Sequence, residues 1–194
     1  MGKLRVIQTK LQDVKLLEPR VFKDKRGFFM ESYSKQDFQE IGIDMDFIQD
    51  NHSLSNEAGV LRGLHFQKGE WAQSKLIRVV TGAVYDVIVD LRKGSPTYGQ
   101  WEGFILSEHN QRQLLVPKGF AHGFLTLTPQ VNFLYKCDGY YSPEADGGIH
   151  FASKELDILW PISLDETIIS DKDRELPDFT AFEAVNDFYW GGST

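Results

Sequence analysis

Cysteine is nearly absent from this chain: Cys137 stands alone among 194 residues. No disulfide can form within the chain, and no cysteine cage for zinc exists. Long apolar runs are missing too, since nothing approaches the roughly 20 apolar residues that cross a bilayer. The opening Met1-Gly2-Lys3-Leu4-Arg5 is not followed by an apolar run of signal-peptide type. Gly2 has the position for myristoylation, but Val6 stands where that signal has Ser or Thr. A cytoplasmic protein is therefore expected. Positive charge is in deficit, with 21 Lys and Arg against 28 Asp and Glu and a net charge of −7. That balance argues against a general nucleic-acid or membrane surface. It leaves room for a local basic pocket that takes an anionic ligand. No internal repeat, low-complexity tract or interdomain linker interrupts the sequence.

Aromatic residues are plentiful at 13%, a load that suits all-β folds with ligand cavities. Hydrophobic residues at 41% and charged residues at 25% are enough for a globular core. The length suits one domain over residues 1–194. Residues 1–46 read as N-terminal strands and a short helix, 47–140 as a β core, and 141–194 as a C-terminal extension.

The local patterns support a mainly β chain. Residues 4–8, 14–22 and 28–33 read as short strands around the polar turn 23–27. Ser34 is a helix cap with Asp37 in the first turn; Phe38 and Ile41 are expected to face inward and Gly42 to stop the helix. Strand then follows strand at 47–54, 60–67, 75–81, 83–91, 100–107, 113–116, 121–128 and 131–137. Turn signals of the Glu57-Ala58-Gly59 and Pro117-Lys118-Gly119 kind separate them. Short strands at roughly 8–12-residue spacing indicate an antiparallel sandwich, jelly roll or barrel. Past Tyr140 the texture changes. Residues 142–148 read as a loop, 156–162 as a segment packing back on the strands, 170–177 as a charged loop and 179–188 as a terminal helix.

Ionisable residues inside the strands are the candidate site. His65 and Arg62 sit in Val60-Leu61-Arg62-Gly63-Leu64-His65-Phe66-Gln67, and Lys75 follows ten residues after His65. A lone His in a strand is most often a bonded core residue. Charged neighbours in an apolar stretch instead favour a general base with a task. In a regular strand Arg62 and His65 would face opposite ways, so a shared cavity requires a bulge at Gly63. A base of this kind needs an orienting carboxylate, and Asp86, Asp90, Asp171 and Asp173 are the candidates. Charged surface is the plainer reading of Asp173. His122, flanked by small residues, is balanced between core packing and ligand contact. Tyr135 shares a face with Val131 and Phe133, so it is either core or a general acid aimed into a cavity. Tyr141 is either packing or a stacking platform. Arg26 and Glu31 look at first like an ordinary surface pair. A metal site is the weaker alternative. His65 and Gln67 have the spacing of paired cupin ligands, but the second His is absent, and Glu70 and His122 add little. A non-catalytic sugar-nucleotide binding module is a further alternative.

Several stretches together carry a resemblance that spacing alone does not supply. They are 60–67, Ala72-Gln73-Ser74-Lys75, residues 86–92, Val116-Pro117-Lys118-Gly119-Phe120-Ala121-His122-Gly123-Phe124, Tyr140-Tyr141-Ser142-Pro143 and Ser170-Asp171-Lys172-Asp173. In this order they resemble the dTDP-4-dehydrorhamnose 3,5-epimerase family, from about Asp24 to Pro177. The resemblance implies a mainly β, cupin-type antiparallel jelly roll or β-sandwich with a few short helices, no metal or other cofactor, and a homodimer acting on a dTDP-sugar. It implies His65 as base, Asp173 as its partner and Tyr135 as general acid; Lys75 matches a ligand-binding position and joins the catalytic group because it can neutralise charge developing on the C4 oxygen. Arg26, Glu31, Gln49, Asn51, Arg62, His122 and Lys172 match substrate-binding positions, and Tyr141 matches the residue that stacks on thymine. The acid after Pro143 aligns as Glu144 or Asp146, with Asp146 taken as the contact. The activity implied is epimerisation at C3 and C5 of dTDP-4-dehydro-6-deoxy-D-glucose. A single-carbon epimerase on a related sugar nucleotide is the close alternative.

Overall fold

A computed structural model describes residues 4–191. The first elements are β1 (Leu4–Ile7), β2 (Lys15–Pro19), β3 (Phe22–Asp24), β4 (Gly27–Phe29), helix α1 (Lys35–Glu40), β5 (Gln49–Ser55) and β6 (Leu61–Gln67). There follow β7 (Lys75–Thr81), β8 (Ala83–Asp90), β9 (Trp101–Ser107), β10 (Gln113–Val116), β11 (Phe120–Thr126) and β12 (Val131–Cys137). The chain closes with β13 (Asp146–Gly148), α2 (Asp171–Arg174) and α3 (Phe179–Glu183). A six-stranded sheet, β1-β2-β10-β7-β12-β5, faces a five-stranded sheet, β13-β6-β11-β8-β9, while β3 and β4 form a separate hairpin. Every strand pairing within these sheets is antiparallel. This is the antiparallel sandwich that the strand spacing predicts, with a few short helices.

Alternation along the strands builds the core between the sheets. Ile77 and Val79 of β7 and Val131 and Phe133 of β12 meet Val84 and Ile88 of β8 and Phe120 and Phe124 of β11. The Phe124 and Phe133 rings stack with centroids 4.0 Å apart. Each such fully buried side chain contributes about 1.5–3 kcal/mol relative to exposure. The other face of the five-stranded sheet is covered by the chain's own C-terminal part. Phe66, Val87, Val89, Leu91 and Ala121 pack there against Ile149, Leu156, Phe179, Phe182 and Phe188. β8 is therefore buried on both faces, which is why its sequence reads as a nearly continuous apolar run. On the outer face of the six-stranded sheet, Phe38 of α1 packs on Leu17, Leu76 and Leu115.

Some elements differ from the sequence expectation. The strand expected over 14–22 ends at Pro19, which has no N–H for a ladder, and the chain resumes as β3. The strand expected over 28–33 closes after Phe29. Helix α1 is capped by the Ser34 hydroxyl, and Gly42 lies just past it at φ +77°. The charged stretch 170–177 is not all loop. Ser170 caps the single turn of α2 by accepting from the Asp173 N–H at 3.2 Å. The helix expected over 179–188 stops at Glu183. Beyond it the Asn186 side chain donates to the Leu91 carbonyl at 2.7 Å and accepts from the Phe188 N–H at 2.9 Å, and these bonds hold the chain in a turn. Residues 156–162 do pack back: Trp160 sits near Tyr85 and donates to the Phe151 carbonyl at 3.0 Å.

Candidate active site

The two sheets part at one end around a cavity of about 630 Å³. Four strands deliver ionisable side chains to it: His65 from β6, His122 from β11, Lys75 from β7 and Tyr135 from β12. β6 and β11 set His65 and His122 directly opposite each other. The register then shifts, so that Gly63 and Leu64 of β6 stand against Gly123 of β11, and Arg62 stands against Phe124. This bulge lets Arg62 and His65, three residues apart, both border the cavity. The site requires glycine. Gly63 has φ +118°, and a Cβ there would lie 2.6 Å from the Gly123 Cα and 2.8 Å from the His122 carbonyl oxygen.

Asp173 comes from 108 residues further on, yet its Oδ1 lies 2.6 Å from His65 Nε2. The chain before α2 runs alongside β6: the Ile168 N–H donates to the Gly59 carbonyl at 2.8 Å, and the Leu61 N–H donates to the Ile168 carbonyl at 3.0 Å. That docking carries α2 to the bulge, where Asp173 Oδ2 accepts from the Gly63 N–H at 3.1 Å. Burial alone would raise the Asp173 carboxyl. The His65 hydrogen bond and charge, with the Gly63 N–H and Ser170, overcome this and hold it below the ordinary carboxylate range. An ionised Asp173 accepts a hydrogen bond from the N–H at His65 Nε2 and leaves Nδ1 as the nitrogen able to take a proton. Of the other carboxylates considered as partners of His65, Asp90 is bound by Arg92, Ser95 and Thr97, and Asp171 is exposed. Asp86 belongs to His122, whose Nε2 lies 3.0 Å from Asp86 Oδ2.

The opposite wall is desolvated. Burial pushes the Lys75 ammonium below its ordinary value, opposed by Cys137, Asp86 and Asp146. The Lys75 Nζ lies 5.8 Å from the centre of the Tyr135 ring. Burial also raises the Tyr135 hydroxyl to about 12, with Cys137, Tyr141 and Asp146 adding to it against Arg62. Tyr135 therefore keeps its proton at neutral pH, as a general acid must. At the rim, Lys172 is ion-paired to Asp146, and Asp146 also accepts from Gln67 Nε2 at 3.3 Å. Glu144 is exposed on the preceding turn, whereas Asp146 borders the cavity. Tyr141 borders it too and is half exposed.

Not every expected residue converges. Gln49 and Asn51 do not line the cavity but support it. Gln49 Oε1 accepts from the Tyr141 N–H at 3.1 Å, and its Nε2 donates to Asn51 Oδ1 at 3.2 Å. Arg26 is exposed on the β3–β4 hairpin, where it pairs with Asp24 at 2.6 Å, and neither it nor Glu31 lines the cavity. Other residues emerge only in three dimensions. Ser53 and Gln73 stand in the wall, and Gln67 accepts from the Ser142 N–H at 2.8 Å while holding Asp146. Asp86 as the partner of His122 had one readable signal: it alternates in phase with the inward-facing Val84 and Ile88. Among the described residues no group of three or more His, Cys, Asp or Glu side chains is placed to hold a metal ion.

Comparison with known proteins gives the family. The model of the dTDP-4-dehydrorhamnose 3,5-epimerase family matches residues 8–181. The chain belongs to that family. Its relative from Salmonella typhimurium is 55% identical over 181 residues, which is 93% of this chain and 92% of the relative. The crystal structure of the Bacillus anthracis epimerase, with TDP and pyrophosphate bound, superposes with a TM-score of 0.88 at 58% identity, covering 91% of this chain and 99% of that one. The Legionella pneumophila enzyme, solved in complex with dTDP-4-keto-L-rhamnose, has a TM-score of 0.92 at 43% identity, covering 97% and 100%. The two-sheet sandwich described above is thus the fold of the epimerase family.

Proposed function

We propose that this chain epimerises C3 and C5 of dTDP-4-dehydro-6-deoxy-D-glucose to give dTDP-4-dehydro-L-rhamnose, as an isomerase of dTDP-L-rhamnose biosynthesis. The reading is carried by one observation: a His–Asp pair, a partly buried Lys and a partly buried, protonated Tyr border one cavity in a member of this family. A C–H next to a ketone is weakly acidic, so its removal needs a placed base and stabilisation of the enolate oxygen. His65 takes the proton from C3 or C5 while Asp173 holds the ring. Lys75 neutralises the charge that develops on the C4 oxygen. Tyr135, on the opposite wall, returns a proton to the other face and so inverts the carbon. The electron pair moves from the C–H bond into the enolate and back, so the reaction has no net oxidation and calls for no redox cofactor or metal. Arg62 and Lys172 suit the diphosphate, the first as a forked donor and the second as a point charge. Tyr141 suits stacking on the thymine ring, with Asp146 and His122 as further contacts.

The reading includes a homodimer and a cytoplasmic place of action. The β3–β4 hairpin exposes Phe22, Phe28 and Phe29, a patch that a second copy would cover. Arg26 and Glu31 reach a substrate if that hairpin meets the neighbour's cavity. The activity is tested by incubating the protein with the 4-keto sugar nucleotide in deuterated water and following C3 and C5 by NMR. Exchange at both carbons is expected. Exchange at one carbon alone would reassign the protein as a single-site epimerase, and none at either would sink the reading.

A further inference from the structure

Behind His122, which lines the cavity, lies an ionisable group that the reaction as described leaves unused. Asp86 is completely buried on the inner face of β8, between Val84 and Ile88. Its Oδ2 bonds His122, while its Oδ1 is buried with no hydrogen-bond partner among the described residues. An unpaired buried carboxylate oxygen costs about 1–3 kcal/mol or more, so a fold that retains one has a use for the charge. The groups around it define that use. After His122, Lys75 is the group whose charge acts on Asp86 to favour its carboxylate. Cys137, Asp86 and Asp146 act on Lys75, and Tyr135 lies against it. Asp86, Lys75 and His65 act on His122.

Two of the three groups that could balance Lys75 are otherwise engaged. The Cys137 thiol is pushed up to about 11, by burial first, and carries no charge at neutral pH. Asp146 is committed to Lys172 and Gln67. Asp173, the remaining carboxylate at the cavity, belongs to His65. We propose that Asp86 is a positioning residue for the epimerase reaction: one oxygen fixes the His122 ring, and the other supplies the buried negative charge that keeps Lys75 an ammonium ion. The cluster then holds one cation, one anion and a neutral imidazole, with no net buried charge, which is the least costly arrangement in a dry cavity. Burial disfavours the charged form of His122; it opposes the charges of Asp86 and Lys75 as well, so each of these two depends on the other to stay ionised. The carboxylate also spares Lys75 from losing its proton when a bound sugar excludes the remaining water. This role rests on the epimerase reading, because it gives Lys75 a reason to stay charged.

Asp86→Asn keeps the shape and the link to His122 but removes the charge. Lys75 should then lose its proton at lower pH, so the alkaline limb of the kcat profile should move down by about one pH unit or more. Asp86→Glu should move the limb back toward the wild-type position. Lys75→Arg in the Asp86→Asn background should abolish the shift, because a guanidinium stays charged without a counter-ion. A uniform loss of kcat with an unmoved limb would assign Asp86 a purely structural part and overturn the proposal. A readout on the unmodified protein is independent of whether these variants fold. With ¹⁵N-lysine labelling, the resonance lost in Lys75→Arg should be that of an ammonium at pH 7, and a neutral amine there would overturn the proposal. Failure of C3 and C5 exchange in the wild type would instead strike the epimerase reading, leaving the Lys75 charge state separately readable.

Discussion

The two His–Asp pairs of this protein use the same residue types on adjoining strands and differ in their relation to solvent. In the His65–Asp173 pair the His side chain is 33% exposed and the Asp 5%; in the His122–Asp86 pair the values are 8% and 0%. The first carboxylate is fully used, with one oxygen on the ring and the other on the Gly63 N–H. The second leaves an oxygen unpaired. Their ionisation moves in opposite directions. For Asp173 the hydrogen bonds overcome the cost of burial and favour the carboxylate. For Asp86 the cost of burial prevails over His122 and Lys75 and disfavours it. A pair near water with satisfied bonds can cycle protons, whereas a pair sealed in the core is suited to holding charge and geometry.

The largest expected effect is at the open pair. Asp173→Asn removes the charge that orients and stabilises His65, and kcat should fall by about 10²–10⁴-fold with dTDP affinity little changed. Steady-state kinetics beside dTDP titration measures the split. A loss below tenfold would show that the open pair is not the proton-transfer pair.

Stability should separate the pairs next. His122→Phe leaves Asp86 buried with neither oxygen paired, and breaking a buried pair in this way costs about 3–5 kcal/mol. His65→Phe should cost less, because Asp173 keeps the Gly63 N–H. Urea unfolding of both variants tests this, and equal losses would erase the distinction between them.

The smallest effect is the acid response, where the two carboxylates should oppose each other. The folded Asp173 value lies below that of an unfolded Asp, about 3.9. Its stabilisation is therefore present above that pH and lost as pH falls through the folded value. The folded Asp86 value lies above the unfolded one, so its contribution weakens as pH rises from about 3.9 toward the folded value. Asp173→Asn should flatten the loss of stability below pH 4, and Asp86→Asn should remove the opposite slope above it. Unfolding free energies measured between about pH 3 and 6 would read both, and slopes of the same sign would contradict the assignment.

Much of this architecture is legible in the residues. Alternation in 75–81 and 131–137 marks which side chains face inward, and Lys75 and Tyr135 fall in phase with Ile77 and Phe133. Gly63 announces the bulge, since only a residue without Cβ fits there. Ser170 hints at a cap, but four residues of helix are too few to stand out from a charged loop. The end of α3 was less legible, because the turn that follows depends on the Leu91 carbonyl, 95 residues away.

The sequence by itself determined the succession of strands along the chain, the alternation of side chains within them, and the stock of His, Asp, Lys and Tyr from which a proton-transfer site is made. These follow from local rules, because strand alternation and helix caps act over a few residues. Which Asp serves which His was decided only by the tertiary structure. Both His residues stand side by side on β6 and β11, and the sequence leaves Asp86 and Asp173 both as candidates, with Asp173 read more simply as surface, until β8 is paired to β11 and the chain near Ile168 is docked on β6. The choice rests on contacts between residues 36 and 108 positions apart, and on the burial that packing alone creates.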